Sequence, residues 1–502
     1  MTDQLQLPEN MSGVHIHFVG IKGTGMAALV EILFHNGAII TGSDVAERFY
    51  TDEILEKLNI KALPFDSKNI TEDIQYVVYS SAYKLNKNPD LIEAVKRGIP
   101  CLLYTQALGS YSERAYSCGI CGVHGKTSTT GLTGTILKEL DLPAQVLAGS
   151  IIKSFGDTCT FTSPLIKKEK KSVFVAETCE YQRHFMSFCP QKIILTSVEP
   201  DHQDYYPTYE DIRQAFIDYI CKLPENGQVV YCADDKGAVD TITLASKIRP
   251  DVQMIPYGEK ANGDYKLTFG KVQEEKNNFK LKLFDKELYL KVPGRHEVMD
   301  ACAAVALCCE LLRTFGKNPA DYVEQIAVGL SNFAGGKRRS EIIGKMKTKI
   351  GNDVVVIDDY GHHPTAVKTT LEGFREFYKG RKIIVDFMSH TYSRTQALLK
   401  EFAASFDSAD VVILHKIYSS ARENPADFNI TGLTLFNETV NHLKSVKEEM
   451  LAKYYDEILD AKDFVMEELN KPLDSRYPDG YLFVTMGAGD NWKLGKAILE
   501  NK

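Results

Sequence analysis

At residues 117–127 the sequence reads Ser117-Cys-Gly-Ile-Cys-Gly-Val-His-Gly-Lys-Thr127, and a helix is predicted to follow as far as Leu140. A glycine-containing turn between a strand and a helix lets backbone N–H groups converge on phosphate oxygens, and the helix N-terminus adds partial positive charge. In this turn Lys126 can reach the terminal phosphates of a nucleotide, and the Thr127 hydroxyl can ligate Mg²⁺. The segment therefore predicts a nucleotide-binding α/β domain.

The loop is a shortened form of the usual phosphate-binding pattern, because Ile120 stands where the longer pattern has a glycine. An ordinary glycine turn with a surface lysine is the alternative, and the placement between strand and helix disfavours it. The residues expected to contact nucleotide phosphates are Gly122, Val123, His124, Gly125, Lys126, Thr127 and Ser128.

A second glycine-rich turn lies near the N-terminus. Residues 14–19 alternate apolar and polar side chains, which predicts a strand, and 26–35 are expected to form a helix. Between them lies Gly20-Ile-Lys-Gly-Thr-Gly25, which is similar to a dinucleotide fingerprint, and Asp44 follows at about the distance of a ribose-binding acid. A nicotinamide-dependent oxidoreductase built on this first unit is therefore an open alternative.

Strands alternating with helices along the rest of the chain predict parallel, doubly wound sheets. Residues 264–292 differ, because they alternate apolar and charged side chains and predict an antiparallel ribbon inserted in the second unit. Gly335-Gly336 is a candidate hinge before a third unit. We place domain boundaries near 113 and 334. Further strands are predicted at 38–44, 76–81, 174–177, 192–196, 353–358, 382–385 and 411–414.

Composition limits the classes of function. A chain of 502 residues suggests roughly three domains. The 59 basic and 67 acidic residues give a net charge of −8, which argues against a nucleic-acid partner but not against a local anion site. No apolar run is long enough for membrane insertion, and residues 1–13 lack the features of a signal peptide. We therefore expect a cytoplasmic protein whose 11 cysteines are mostly small buried hydrophobes.

The phosphate loop and its Ser128-Thr-Thr130 tail resemble the ATP loop of the Mur ligases, the amide-forming enzymes of peptidoglycan precursor synthesis. The resemblance extends over nearly the whole chain, because a series of short motifs follows the order and spacing of that family. The motifs are His17-Phe-Val-Gly-Ile-Lys-Gly-Thr-Gly-Met26, Gly42-Ser-Asp44, Glu177-Thr-Cys-Glu-Tyr181, Glu199-Pro-Asp-His202, Val292-Pro-Gly-Arg-His296, Lys337-Arg-Arg339, Asp358-Asp-Tyr-Gly-His-His-Pro364, His390-Thr-Tyr-Ser-Arg-Thr395 and Ser420-Ala-Arg-Glu423.

The resemblance implies a three-domain α/β architecture. Residues 1–113 would form a Rossmann-like domain that binds a UDP-sugar. Residues 114–334 would form a central ATP-binding domain with a parallel sheet and a small antiparallel insert. Residues 335–502 would form a Rossmann-like domain that binds the amino acid.

The reaction implied is ATP-dependent ligation of L-alanine to the lactyl carboxylate of UDP-N-acetylmuramate through an acyl phosphate, with release of ADP and phosphate. Mg²⁺, or Mn²⁺ in its place, would assist, and the product would serve cell-wall biogenesis, cell shape and division. The protein would act as a monomer or weak homodimer. A family member that adds another amino acid or a peptide is one alternative, and a non-catalytic nucleotide-binding regulator is another.

Site residues follow from the resemblance, position by position. UDP-sugar contacts would come from Gly20, Gly23, Thr24, Gly25, Met26, Asp44, Ser80 and Ser81. ATP contacts beyond the phosphate loop would come from His296, Arg338, Asp358 and His363. Metal ligands would be Thr127, Glu177 and His202. Catalytic roles would fall to Lys126, Glu177, His202, Arg339, His390 and Arg394, with Arg394 holding the α-carboxylate of the amino acid.

Simpler interpretations remain for some of these residues: a strand-end carboxylate for Asp44, a loop histidine for His202 and a solvated basic run for 337–339. The sequence also departs from the family. Glu297 and Asp300 stand where asparagines are usual, and Ser197 replaces another asparagine. An amide donates and accepts, whereas an ionised carboxylate only accepts, so adenine recognition would rely on His296 or backbone groups, or admit other purines.

Cys118-x-x-Cys121 precedes the phosphate loop. Such a pair can be redox-active or half of a zinc site. No second pair follows at zinc spacing, so we interpret both cysteines as structural.

Overall fold

Three mainly parallel sheets follow one another along the chain in the computed structural model, which describes residues 6–167, 172–419, 423–446 and 451–500. We refer to each sheet with its helices as the N-terminal, central or C-terminal domain. Of the motif Ser420-Ala-Arg-Glu423, only Glu423 lies within the described residues.

The N-terminal domain has five parallel strands in the order β3-β2-β1-β4-β5, the arrangement of one Rossmann half with its extension. Its strands are β1 (His15–Val19), β2 (Ile39–Ser43), β3 (Ala62–Leu63), β4 (Tyr76–Tyr79) and β5 (Cys101–Leu103), and its helices are α1 (Thr24–His35), α2 (Asp52–Lys57), α3 (Pro89–Lys96) and α4 (Tyr104–Ser112). The strand and helix predicted on either side of the N-terminal glycine turn, residues 20–25, are thus confirmed.

The central domain has a seven-stranded sheet in the order β12-β11-β10-β6-β9-β7-β8, in which only the edge strand β8 is antiparallel to its neighbour. Its strands are β6 (Tyr116–Cys121), β7 (Ala144–Ile152), β8 (Thr158–Thr162), β9 (Val173–Glu177), β10 (Lys192–Leu195), β11 (Gln228–Cys232) and β12 (Gln253–Tyr257). Its helices are α5 (Lys126–Glu139), α6 (Tyr209–Ile220), α7 (Lys236–Ile248), α8 (Arg295–Thr314) and α9 (Val323–Asn332). The predicted ribbon is a separate antiparallel sheet of β13 (Leu267–Gln273), β14 (Lys276–Leu281) and β15 (Glu287–Leu290).

The C-terminal domain has six strands in the order β16-β17-β21-β18-β19-β20, with only β16 antiparallel. Its strands are β16 (Glu341–Lys347), β17 (Asp353–Asp359), β18 (Arg381–Phe387), β19 (Val411–His415), β20 (Leu451–Tyr455) and β21 (Gly480–Met486). Its helices are α10 (Pro364–Phe377), α11 (Tyr392–Ala397), α12 (Leu399–Ala403), α13 (Gly432–Val446), α14 (Lys462–Leu469) and α15 (Trp492–Glu500).

Both faces of the C-terminal sheet are buried, which explains why β17 is a continuous apolar run rather than an alternating one. Val355 and Ile357 pack in the core on one face, and Val354 and Val356 pack in the core on the other. The α/β fold class is therefore confirmed. The described residues include no helix long and apolar enough to cross a membrane.

Contacts between the domains fix where the site can form. Helix α1 packs on β7 and β8, which joins the N-terminal and central domains. Helix α8 contacts α10, so the central sheet faces the C-terminal domain. The connection at 335–337 is held against β7, because the amide of Lys337 donates to the carbonyl of Ile151 at 2.8 Å. The domain boundaries near 113 and 334 stay a prediction.

Candidate active site

A cleft of about 630 Å³ lies between the central and C-terminal domains. Its walls are the phosphate loop, the start of α8 and the segments that leave the carboxyl ends of β9, β10, β17 and β18. Ligands of open α/β sheets bind at these carboxyl ends, where the loops diverge from the sheet. Two such ends therefore face each other across one cleft.

The phosphate loop has the backbone conformation that its glycines permit. Gly122 has φ of 135° and Gly125 has φ of 80°, both in the region that favours glycine. A Cβ on Gly122 would lie 2.0 Å from the Thr196 hydroxyl, and one on Gly125 would lie 2.3 Å from a carboxylate oxygen of Asp300. The loop delivers the N-terminus of α5 to the cleft, because Gly125 is the residue that precedes that helix.

Lys126 forms an ion pair with Glu180 at 2.9 Å, and the Lys126 side chain is mostly buried and that of Glu180 fully so. Burial by itself would lower the pKa of the ammonium group, but Glu180 and other nearby acids raise the pKa above its usual value. Burial likewise opposes ionisation of Glu180, yet Lys126 and His202 hold the pKa of that carboxyl below its usual value. Glu180 therefore keeps the Lys126 ammonium protonated beside the loop. Sequence reasoning assigned no role to Glu180.

Two of the predicted metal ligands lie next to each other. The Thr127 hydroxyl donates to Glu177 at 2.9 Å, and the Gly149 amide donates to the same carboxylate oxygen at 2.8 Å. Hydroxyl and carboxylate oxygens are hard donors of the kind that Mg²⁺ prefers, so these residues fit that ion. His202 stands beside the other acid, with its Nε2 3.3 Å from Glu180. The structure therefore brings all three predicted ligands to the neighbourhood of Lys126.

The C-terminal domain contributes cations from the opposite wall. Arg339 lines the cleft with its guanidinium 5.4 Å from the centre of the Tyr360 ring. Arg394 donates through Nε and Nη2 to one carboxylate oxygen of Asp201, at 3.1 and 2.7 Å, and both residues are buried. Burial would raise the pKa of Asp201, but Arg394 holds it far below its usual range. His390 lines the same part of the cleft.

Arg338 and Asp358 do not line the cleft, although both were expected to contact ATP. They pair with each other at 2.8 Å, and the Arg338 guanidinium also donates to the carbonyl of Gly487. Arg338 has φ of 55°, and its guanidinium, held by Asp358, lies 5.2 Å from the centre of the Tyr360 ring. Arg339 alone of the two carries charge into the site.

Two histidines predicted to contact ATP meet across the cleft. The rings of His124 and His363 are 4.8 Å apart between centroids, and the Glu199 carboxylate lies 3.5 Å from one ring and 4.0 Å from the other. Burial lowers the pKa of His124 to about 3 and that of His363 to about 4. His363 also caps α10, since its Nδ1 accepts from the Thr365 amide at 3.4 Å. His296 is a third cleft histidine, and burial lowers its pKa as well.

The two residues that replace asparagines lie at the start of α8, beside the phosphate loop. The Ser128 hydroxyl donates to Glu297 at 2.9 Å, and the other oxygen of that carboxyl is buried without a hydrogen-bond partner. Burial raises the pKa of Glu297 to about 7, and burial together with Glu297 raises that of Asp300 well above its usual value. A protonated carboxyl can donate as well as accept, as an amide does. Protonation of either carboxyl would supply a donor at these positions, and the contacts of Glu297 and Asp300 with adenine stay a prediction.

The residues predicted to bind the UDP-sugar gather at the start of α1, on the N-terminal domain. Asp44 accepts from the amide of Lys22 at 2.7 Å and from the Tyr83 hydroxyl at 3.1 Å, so its carboxylate shapes the glycine turn itself. None of the eight residues lines the cleft, and their contact with a UDP-sugar stays a prediction: Gly20, Gly23, Thr24, Gly25, Met26, Asp44, Ser80 and Ser81.

Tyr104 connects this turn with the metal ligands, a link that sequence reasoning missed. A Cβ on Gly25 would lie 2.8 Å from the Tyr104 hydroxyl, so the ring lies directly behind the turn. Burial and the charge of Glu177 together raise the pKa of Tyr104. Tyr104 is the first residue of α4 and belongs to none of the motifs, so the sequence alone does not predict its place behind the glycine turn.

Cys118 and Cys121 are buried in β6, and all 11 cysteines are free thiols. Burial raises the pKa of the Cys118 thiol to about 12, which makes it unreactive at neutral pH. Both residues thus serve as small core side chains of a buried strand.

Family models match three consecutive parts of the chain. The Mur ligase family catalytic domain matches residues 15–116, the Mur ligase middle domain matches 120–308, and the Mur ligase glutamate ligase domain matches 338–466. Together the matches cover most of the sequence.

Full-length relatives give the same result. A UDP-N-acetylmuramate–L-alanine ligase of Treponema pallidum is 46% identical over 98% of each chain, and one of Borreliella burgdorferi is 35% identical over 96% of this chain and 97% of its own. Among solved structures, a UDP-N-acetylmuramate–alanine ligase from Thermotoga maritima superposes with a TM-score of 0.72 at 23% identity, covering 97% of this chain and 98% of its own. A murein peptide ligase from Psychrobacter arcticus superposes with a TM-score of 0.61 at 20% identity, with the same coverage. At these identities the superpositions establish the fold.

The raised pKa of Glu297 predicts a pH-dependent cost to stability. Because the pKa is about 7 in the folded chain and 4.5 is the usual value, stability is lost as pH rises through this interval. We expect Glu297→Gln to raise the free energy of unfolding relative to the unsubstituted protein at pH 8, by up to roughly 3 kcal/mol, and much less at pH 5. Urea unfolding at both pH values measures this, with exposed Glu287→Gln as the control. An equal effect of Glu297→Gln at the two pH values would contradict the assignment.

Proposed function

The chain belongs to the Mur ligase family, and from this premise we propose that it joins L-alanine to the lactyl carboxylate of UDP-N-acetylmuramate, using ATP and releasing ADP and phosphate. One observation carries the proposal. The phosphate loop of the central domain and several arginines and histidines of the C-terminal domain line a single cleft. Full-length relatives named for this reaction support the choice of amino acid and sugar nucleotide.

The reaction explains why so many charged groups converge. A carboxylate is a poor electrophile, so its oxygen first attacks the γ-phosphorus of ATP, and the bond from that phosphorus to the bridging oxygen of ADP breaks. The amine of L-alanine, after losing its ammonium proton, attacks the acyl phosphate, and phosphate leaves. Negative charge spreads over the transferring phosphoryl group, so preorganised cations lower the barrier.

Lys126 is placed to stabilise that charge. Its ammonium is buried, held charged by Glu180, and mounted on the first turn of α5. When a triphosphate binds, the γ-phosphoryl oxygens offer Lys126 anionic partners, and Glu180 keeps the side chain in position. Arg339 supplies a second positive charge from the C-terminal wall.

Thr127 and Glu177 would hold one Mg²⁺, and His202 would contribute to a second ion. The ion supplies charge neutralisation on the phosphate oxygens. Glu177 is prepared for this role because the Gly149 amide and the Thr127 hydroxyl orient its carboxylate. A histidine is a softer ligand than Mg²⁺ prefers, so the His202 site would admit Mn²⁺ well.

For the amino acid, Arg394 and His390 are the proposed contacts. Arg394 can offer a carboxylate two parallel N–H donors, although in the structure these donors face Asp201. The α-carboxylate of L-alanine would share or replace that interaction. His390 lies on the same wall and would line the pocket for the methyl group or accept the ammonium proton.

The protein would work in the cytoplasm. All 11 cysteines are unpaired, which suits a reducing compartment, and the substrates proposed are nucleotides.

Coupled release of ADP and phosphate tests the proposal. We expect release that requires UDP-N-acetylmuramate and L-alanine together, because the amine completes the turnover. Glycine and L-serine are the matched competitors, since a pocket distinguishes a methyl from a hydrogen by only about 1–3 kcal/mol. Failure of L-alanine to stimulate release with the sugar nucleotide present would refute the proposal. Stimulation by a peptide instead would indicate a different family activity.

Lys126→Ala is the control that links this activity to the phosphate loop. The substitution removes the buried ammonium, so ADP release should fall by at least a hundredfold. Lys236→Ala removes an exposed lysine in the same domain and should leave the rate unchanged. Equal rates for Lys126→Ala and the unsubstituted chain would place the catalytic ATP site elsewhere.

Arg394→Lys tests the amino-acid site. A lysine keeps the charge but loses the parallel donors, so we expect the KM for L-alanine to rise by at least tenfold. The KM values for ATP and UDP-N-acetylmuramate should change little, as should all three in the exposed control Arg476→Lys. Steady-state kinetics with each substrate varied in turn measure this. Equal increases for all three substrates would show that Arg394 acts by joining the domains through Asp201.

A further inference from the structure

A second group of potential metal ligands lines the same cleft as Thr127 and Glu177. One ligand atom from each of His124, Glu199 and His363 lies within 4.8 Å of the other two. Nε2 of His124 is 3.5 Å from one oxygen of Glu199, and Nδ1 of His363 is 4.0 Å from the other. Shifts of under an ångström would bring the three atoms to the spacing of ligands around one ion with bonds of roughly 2.0–2.2 Å.

The described side chains around these three groups do not supply a cation to balance the carboxylate or hydrogen bonds to saturate the ring nitrogens. Glu199 is partly buried, and within the part of the chain that the structure describes no lysine or arginine pairs with it; its hydrogen bond comes from the Thr365 hydroxyl at 2.9 Å. Nε2 of His124 is buried without a hydrogen-bond partner, and Nδ1 of His363 accepts a long hydrogen bond of 3.4 Å from the Thr365 amide. A partly buried carboxylate between two neutral imidazoles lacks a positive charge, and a metal cation would supply that charge and accept the imidazole lone pairs.

We propose that His124, Glu199 and His363 form a binding site for a borderline-soft divalent transition-metal ion such as Zn²⁺, separate from the oxygen-ligand centre at Thr127 and Glu177. Two imidazoles and one carboxylate are a three-ligand set that leaves a fourth position open for water or a ligand oxygen. The set favours zinc over magnesium, because imidazole nitrogen is too soft for Mg²⁺.

The location gives the ion a structural consequence. His124 belongs to the phosphate loop, Glu199 follows β10, and His363 caps α10 of the C-terminal domain. A bound ion would therefore tie the phosphate loop to the opposite wall of the cleft. Since the ligands belong to the folded, closed arrangement, binding should also raise the melting temperature.

Titration of the metal-free full-length chain tests the site without reference to activity. Zn²⁺ is followed by calorimetry and Co²⁺ by its visible absorption, in excess Mg²⁺ and without nucleotide. We expect one equivalent of ion, a rise in Tm with Zn²⁺, and a Co²⁺ spectrum without the intense charge-transfer band of thiolate ligation. The absence of that band distinguishes binding at the proposed site from binding at Cys179, an exposed thiol that lines the same cleft.

Variants in two domains give the decisive comparison. Glu199→Gln and His363→Gln should each weaken binding by at least tenfold and abolish the rise in Tm, provided that far-UV circular dichroism shows a folded chain. His442→Gln removes a histidine of α13 that pairs with Asp407, and it should bind as the unsubstituted chain does. No binding by the unsubstituted chain, a thiolate band, or unchanged affinity in a folded Glu199→Gln or His363→Gln variant would each overturn the proposal.

Discussion

A charge removed from water must be compensated, and the cleft is built around this constraint. Lys126 is buried against Glu180, and Arg394 is buried against Asp201. Each pair keeps a cation charged at the cleft, where an anionic substrate would bind. The same requirement explains why Glu297 and Asp300, which are buried beside the phosphate loop, have raised pKa values, because burial outweighs the attraction of Arg339.

Some of these charges are balanced by residues of another domain, so the site depends on contact between the central and C-terminal domains. Asp201 lies on the central domain and Arg394 on the C-terminal domain, and Thr365 of α10 donates to Glu199 beyond β10. With its net charge of −8 the protein is mildly acidic, yet anions are drawn to the few cations placed in the cleft. Local arrangement therefore outweighs the overall balance of charge.

Much of this could be predicted from local sequence. The spacing of Gly122, Gly125, Lys126 and Thr127 indicated a phosphate loop, and alternating or continuous apolar runs located the strands on either side of it. Long-range pairing could not be predicted: Glu180 is 54 residues from Lys126, and Asp201 is 193 residues from Arg394. Nor does the sequence tell Arg338 from Arg339, because the pairing of Arg338 with Asp358 forms only in the folded chain. Such choices depend on tertiary packing.

The central claim is that this cleft transfers a phosphoryl group from ATP to the carboxylate of a sugar nucleotide before the amide forms. Oxygen-isotope transfer tests it most directly. UDP-N-acetylmuramate labelled with ¹⁸O in its lactyl carboxylate would be turned over with ATP and L-alanine, and the released phosphate analysed by ³¹P NMR. An acyl phosphate pathway predicts that each phosphate carries one labelled oxygen from the substrate. Unlabelled phosphate from a completed reaction would contradict the account.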